Sequence, residues 1–185
     1  MARTLSFLAS IQDTDGSYYE TEAKLAHSPQ EWLQTDPQID RFYFTAAVPM
    51  RLCSVGHGEH AVVRPALEWL RASWGDWKLV TGTWYNLWAL LCLCPALTGL
   101  SGTILRRCYA QSMDWLPHLG PQPVTWLLDS LHGAGYPKEE PLVAAGMSRL
   151  AAVQHEDGTW QHPHTHVETT VTALRLLHDY GVGLE

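Results

Sequence analysis

Two kinds of helical stretch alternate along the chain, and they differ in how far round the helix the apolar positions reach. Ala61 to Trp74 repeats apolar residues at three- and four-residue spacing and keeps Arg64, Glu68 and Arg71 on the opposite face. Thr103 to Leu116 carries Arg106 and Arg107 in the same way, and the stretch ending at Val153 carries Glu139, Glu140 and Arg149. Between these lie stretches richer in apolar and aromatic residues: Phe42 to Val55, Trp84 to Cys94, Val124 to His132 and Val167 to Tyr180. With the apolar stretch before Gln12, the pattern predicts eight main helices in four hairpins. The first member of each hairpin is wet on one face and the second is covered on all sides. The connections, among them Gly75-Asp76-Trp77 and Pro117 to Pro123, read as turns. Outer helices alternating with inner ones is the pattern of an α/α toroid, in which the inner helices ring a central cavity.

Two of the turns are nearly the same string. Gln12-Asp13-Thr14-Asp15-Gly16-Ser17-Tyr18 and Gln154-His155-Glu156-Asp157-Gly158-Thr159-Trp160 align at one offset of 142 without a gap, together with the apolar residues that precede them. A helix, a Gln-x-x-x-Gly-x-aromatic turn and a second helix therefore form one repeated unit.

This string, preceded by an apolar helix and followed by a segment such as Val167-Glu168-Thr169-Thr170-Val171-Thr172-Ala173-Leu174, resembles the QW repeat of the prenyltransferase and squalene/hopene cyclase superfamily. The middle two hairpins resemble it only in their helix order. The resemblance implies an all-α fold, an α/α toroid or partial toroid of about four helical hairpins with inner and outer helices, spanning 1–185 as one domain. It also implies that the Gln side chain caps a neighbouring outer helix and stacks on the aromatic, while Gly lets the turn use positive φ. Gln12, Gly16, Tyr18, Gln154, Gly158 and Trp160 are accordingly structural. Family members have about six hairpins, so four leave three outcomes open: a smaller ring, an open crescent, or a cavity completed by a homodimer. The family's Asp-x-Asp-Asp proton donor is absent here, as is the Asp-x-Cys of its zinc-dependent transferases.

Groups at the starts of the inner helices would face one mouth of such a ring. They include Asp40, Arg41, Trp84, Tyr85, Asn86, Trp126, His166 and Glu168. The aromatic faces of Trp84, Tyr85, Trp88 and Trp126 suit a cage that guides a carbocation, at about 0.5–2 kcal/mol for each ring, or simply pack the core. Asp129, inside Trp126-Leu127-Leu128-Asp129-Ser130-Leu131, either pairs with Arg51 or Arg175 or enters the cavity as a proton donor with a raised pKa. The leading expectation is a small cyclase or isomerase of a hydrophobic, isoprenoid-like or polyene substrate. Asp40, Glu168 or Asp129 would donate the proton, and Asn86 and Arg41 would join the aromatics in holding substrate. No cofactor is needed for that chemistry.

A second reading centres on Gln161-His162-Pro163-His164-Thr165-His166. In an extended loop His162, His164 and His166 share one side, and with Glu168 they make an adequate set for zinc or another divalent metal, or one of them, His166 included, serves as acid, base or substrate contact. A third reading is a non-catalytic binding module or subunit with the same fold. The connection from Tyr18 to Asp40 reads either as a lid over the mouth or as a surface excursion anchored by Trp32.

Composition narrows the partners. A chain of 185 residues with 46% hydrophobic residues can build one sizeable core, and its formal charge of −7 offers nothing to neutralise phosphates, so no nucleic-acid partner is expected. The apolar run Leu87 to Leu100 is broken by Pro95 and Gly99 and is too short for a transmembrane segment. The N-terminal stretch turns polar too soon to be read as a signal peptide. Cys53, Cys92, Cys94 and Cys108 lack Cys-x-x-Cys spacing, which reads as reduced thiols of a cytoplasmic protein.

Overall fold

The computed structural model of the protein describes residues 2–19, 36–93, 102–161 and 166–182. Those residues are all-α, with nine α-helices, one 3₁₀ turn and no strand among them. They fall into two compact units, Met1–Ser101 and Gly102–Glu185.

The first unit holds α1 (Ala2–Ile11), α2 (Pro37–Ser54), α3 (Val63–Ser73), α4 (Trp77–Thr81) and α5 (Trp84–Cys92). Helix α2 begins at Pro37, earlier than the apolar pattern starting at Phe42 predicts, because Asp36 caps it. The Asp36 carboxylate accepts from Gln38 N–H at 2.8 Å, and Pro37 fits the first helical position, where no N–H is needed. The expected turn at Gly75-Asp76-Trp77 proves to be the start of α4, whose N-cap Asp76 accepts from Lys78 N–H at 3.0 Å. Helix α2 packs against both α3 and α5. In α5 every residue from Tyr85 to Cys92 is buried, whereas α3 buries only Val63, Ala66, Leu67 and Leu70 and leaves Arg64, Glu68 and Arg71 in water. Helices α3 and α5 differ as the sequence pattern predicts, but Val167 to Tyr180 and Val124 to His132, expected to be covered on all sides, are not: Val167, Val171, Leu174 and Trp126 are exposed.

The second unit holds α6 (Gly102–Trp115), a 3₁₀ turn (Leu116–His118), α7 (Pro121–Gly133), α8 (Pro141–Ala152) and α9 (His166–Asp179). Helix α7 also starts at a proline, so the expected turn ends at Gly120. It packs against α8 and α9. Tyr109 of α6 ties the start of α8 down: its hydroxyl donates to Glu140 Oε1 at 2.9 Å and accepts from Leu142 N–H at 2.8 Å.

The repeated turn has the same geometry in both units. Asp13 N–H donates to Ser17 O and His155 N–H to Thr159 O, each at 2.9 Å. Asp15 Oδ1 takes the N–H and hydroxyl of Ser17 at 3.0 and 2.7 Å, and Asp157 Oδ1 takes those of Thr159 at the same distances. Gln12 and Gln154 each donate through Nε2 to the glycine carbonyl at 2.9 Å. Gly16 and Gly158 sit at φ +91° and +82°, which side-chain-bearing residues rarely adopt. After the turn, Tyr18 N–H donates to Thr45 Oγ1 on α2 at 3.0 Å, and Trp160 N–H to Thr170 Oγ1 on α9 at 3.1 Å.

The surroundings of the two turns differ. Gln12 Nε2 makes a second bond, to the carbonyl of Val62 at the start of α3, and a Cβ on Gly16 would lie 2.5 Å from Pro65 O. A Cβ on Gly158 would meet only the Gln154 side chain, at 3.9 Å. Gly158→Ala should therefore cost only the left-handed backbone penalty, about 1–2 kcal/mol. Gly16→Ala adds overpacking against α3 and should cost about 2–5 kcal/mol. Urea unfolding of the two variants checks this; equal losses would show that the first turn is not clamped by α3.

Candidate functional site

Six of the expected site residues, Asp40, Arg41, Trp84, Tyr85, Asn86 and Trp88, lie in the first unit, on α2 and α5. Asn86 sets the frame. Its Nδ2 donates to Ile39 O at 3.0 Å and Leu79 O at 2.8 Å, and its Oδ1 accepts from Thr83 Oγ1 at 2.9 Å. Thr83 in turn caps α5, accepting Asn86 N–H at 3.4 Å. The Asn86 side chain, wholly buried, joins α2, α4 and α5. Its amide is taken up by hydrogen bonds within the fold.

Asp40 stands in the first turn of α2, one residue after Ile39, and is 3% exposed. Its Oδ1 has no hydrogen-bond partner among the described residues. Burial pushes the carboxyl above its ordinary value of 3.8, and the Asp36 charge one turn earlier adds to the effect. The Asp40 charge reaches Tyr85, which belongs to a chain of rings. Trp84 lies 4.4 Å from Trp88 and 5.2 Å from Tyr85, and Tyr85 meets Tyr43 edge-on at 4.6 Å. Burial raises the Tyr85 phenol; the Thr83 hydroxyl opposes the shift, while Asp40 and Tyr43 add to it. Trp88 is 2% exposed, and its Nε1 lacks a partner among the described residues. The site thus combines a protonatable acid with aromatic rings.

Tyr43 was not among the expected residues. It follows Asp40 by three positions in Asp40-Arg41-Phe42-Tyr43, one helical turn along the same face, and that spacing was the available signal.

Arg41 is held within the fold. Its Nε donates to Ser17 Oγ at 2.8 Å and its Nη2 to Asp15 Oδ2 at 2.8 Å, while the guanidinium lies 5.5 Å from the centre of the Trp69 ring. Burial works to raise Asp15, but Ser17 and Arg41 outweigh it and hold the carboxyl below its ordinary value. Arg41 therefore locks the first turn onto α2.

In the second unit Asp129 pairs with Arg175, the structural alternative of the two expected, and Arg175 also reaches Asp179 at 3.3 Å. Glu168 and His166 are exposed in the first turn of α9. Trp126, expected to shape a cavity, is 37% exposed. His162 and His164 lie outside the described residues, as does Trp32 of the expected lid. Among the described residues no three His, Cys, Asp or Glu side chains converge as a metal site, and no helix is long and apolar enough to cross a membrane.

A groove of about 660 Å³ runs beside α3, lined by residues such as Glu59, His60, Arg64 and Glu68. None of the Asp40 group lines it. Its open, charged walls suit solvent better than the apolar ligand the rings would hold. Comparisons with protein families, with characterised proteins and with solved structures find no match to the chain.

The raised pKa of Asp40 has a definite sign in stability. The folded state holds the proton more tightly than the unfolded state, so this group's contribution is fully present below the unfolded value and is lost as pH rises through the folded one. Asp40→Asn removes the buried charge. It should raise the melting temperature at pH 7, with the gain shrinking to nothing as pH falls below 3.8. A thermal-melt series against pH measures it; a variant less stable at pH 7 than at pH 3 relative to wild type would contradict the assignment.

Proposed function

We propose that this chain is a small cyclase or isomerase that protonates a hydrophobic, isoprenoid-like or polyene substrate, with Asp40 as the proton donor. The carrying observation is the buried Asp40, whose Oδ1 has no hydrogen-bond partner among the described residues and whose charge reaches Tyr85 in the chain of rings. Its helices would be arranged as an α/α toroid or partial toroid, as the resemblance to QW-repeat proteins implies, in a cytoplasmic enzyme.

Burial favours the protonated carboxyl, the form that can donate, and the same shift makes it a weaker acid. It therefore suits an acceptor more basic than a plain alkene, such as an epoxide or allylic oxygen on an isoprenoid chain. Proton transfer opens the C–O bond, the π electrons of a neighbouring alkene attack the resulting cationic carbon, and ring faces stabilise the charge by about 0.5–2 kcal/mol each. Loss of a proton from carbon to the Asp40 carboxylate restores the acid. No redox partner is consumed.

Linear isoprenoid alcohols and epoxides incubated with the protein in deuterated water provide the test, read as cyclised or isomerised product. Asp40→Asn should lower the rate about 10²–10⁴-fold with the helical content unchanged. Glu168→Gln should have little effect, and chelators none. Full turnover by Asp40→Asn would refute the assignment, and loss on chelation would favour the metal reading at His162, His164 and His166. Binding of the probes without conversion would favour a carrier.

A further inference from the structure

Three helices of the second-member class end alike, which gives a common ruler. In α2, α7 and α9 a glycine at positive φ follows the helix (Gly56, Gly135, Gly181), and the next N–H reaches back to the carbonyl of Leu52, Leu131 or Leu177. Counting fourteen, ten and seven residues back from that glycine gives Phe42, Ala46 and Pro49 on α2, and Pro121, Thr125 and Leu128 on α7. The same count on α9 gives Val167, Val171 and Leu174.

On α2 and α7 this face is covered by the amphipathic helix that follows. Phe42, Ala46 and Pro49 are buried, with Phe42 against Trp69 of α3. Thr125 and Leu128 are buried, and a Cβ on Gly146 of α8 would come within 2.9 Å of Leu128. On α9 the face is bare: Val167, Val171 and Leu174 are 64%, 60% and 38% exposed. The turn leading into α9 is bare as well, since α3 seats on Gly16 while Gly158 meets only its own Gln154.

Helix α1 has the opposite lack. The buried row of α3 is Val63, Ala66, Leu67 and Leu70, and α8 buries Val143, Gly146 and Leu150 at the same spacing. Counted back from the glutamine of the following turn, the matching positions in α1 are Met1, Thr4, Leu5 and Leu8. Yet α1 buries no residue, and its Phe7 and Ile11 are 53% and 39% exposed. Within its covering row Thr4 is exposed and Leu5 and Leu8 are only half-buried, so α1 has the sequence of a covering helix whose row is incompletely covered.

We propose that α1 of a second copy of this chain docks on the bare face of α9 and the turn before it, and that the exchange is reciprocal, giving a two-fold dimer. Charge supports this occupant. In the register of α3, Arg3 falls where Pro65 meets the first turn. On α9 it would meet the exposed turn acids Glu156 and Asp157, and Asp157 stays charged because the Thr159 hydroxyl and N–H hold its carboxyl below the ordinary value. In the first turn Arg41 already serves Asp15; at the matching place, four residues before the threonine, α9 has His166. One ten-residue helix on one face is a small contact beside the roughly 1,200–2,000 Å² of specific dimers, and reciprocal exchange doubles it.

Sedimentation of the full chain over a micromolar concentration series tests the idea. Wild type should run as a dimer. Val171→Glu should weaken it at least about tenfold with melting temperature of the monomer unchanged, because the Val171 side chain is already in water. Arg3→Glu should weaken it too, and adding Glu156→Arg should restore it. A wild-type monomer throughout the series, or a Val171→Glu dimer of undiminished affinity, would overturn the proposal.

Discussion

A backbone N–H just past a tight turn must find an acceptor, and in each unit a threonine hydroxyl on the next helix provides it. Thr45 Oγ1 accepts from Tyr18 and donates back to Arg41 O at 2.7 Å, so one hydroxyl ties the turn to α2 and satisfies itself within the helix. Thr170 does the same service for Trp160 on α9. The aromatic side chain that follows is thereby driven inward: Tyr18 is 2% and Trp160 1% exposed, and Trp160 Nε1 donates to Leu150 O at 2.7 Å. Turn, aromatic and second helix become one rigid corner. The positions of Asp40 and Arg41, within a turn or so of Thr45, follow from it.

That corner does not depend on the chain between its parts. Tyr18 and Thr45 are 27 residues apart, whereas Trp160 and Thr170 are 10 apart, yet the hydrogen bonds agree to about a tenth of an ångström. A longer loop adds only slowly to the entropy of closing it, so the first connection is free to carry extra sequence at little cost in stability. The geometry is held by the ends.

Such corners were legible in the sequence only in part. The Gln-x-x-x-Gly-x-aromatic string and the two helix classes stood out because they are local patterns of side-chain type. The threonines did not, since nothing in Phe44-Thr45-Ala46 says that an N–H 27 residues earlier will arrive there. Asn86 and Arg41 looked like site residues because they are polar groups at helix starts; their partners, Ile39 O and the Asp15 carboxylate, lie 47 and 26 residues away. Asp40 was the reverse case. Its placement at a helix start was readable, but the burial and missing partner that distinguish it from Glu168 are properties of packing. Helix α4 was missed for a smaller reason: Asp76 caps only five residues, too few to show a period.

The buried carboxyl at Asp40 differs from the other acids of the described residues. Asp15 is held by Ser17 and Arg41, Asp36 and Asp76 cap helices, and Asp129 is paired with Arg175. Each of these acids sits where a donor is fixed by the backbone or by an arginine. Asp40 has Arg41 as its chain neighbour, and the guanidinium turns the other way, onto the turn and over the Trp69 ring. Folding alone would favour an apolar residue at that spot, because a buried carboxyl oxygen without a partner among the described residues disfavours the native state. A buried acid whose Oδ1 finds no partner among the described residues, while the other acids are held, is the contrast on which the proposal of Asp40 as proton donor rests.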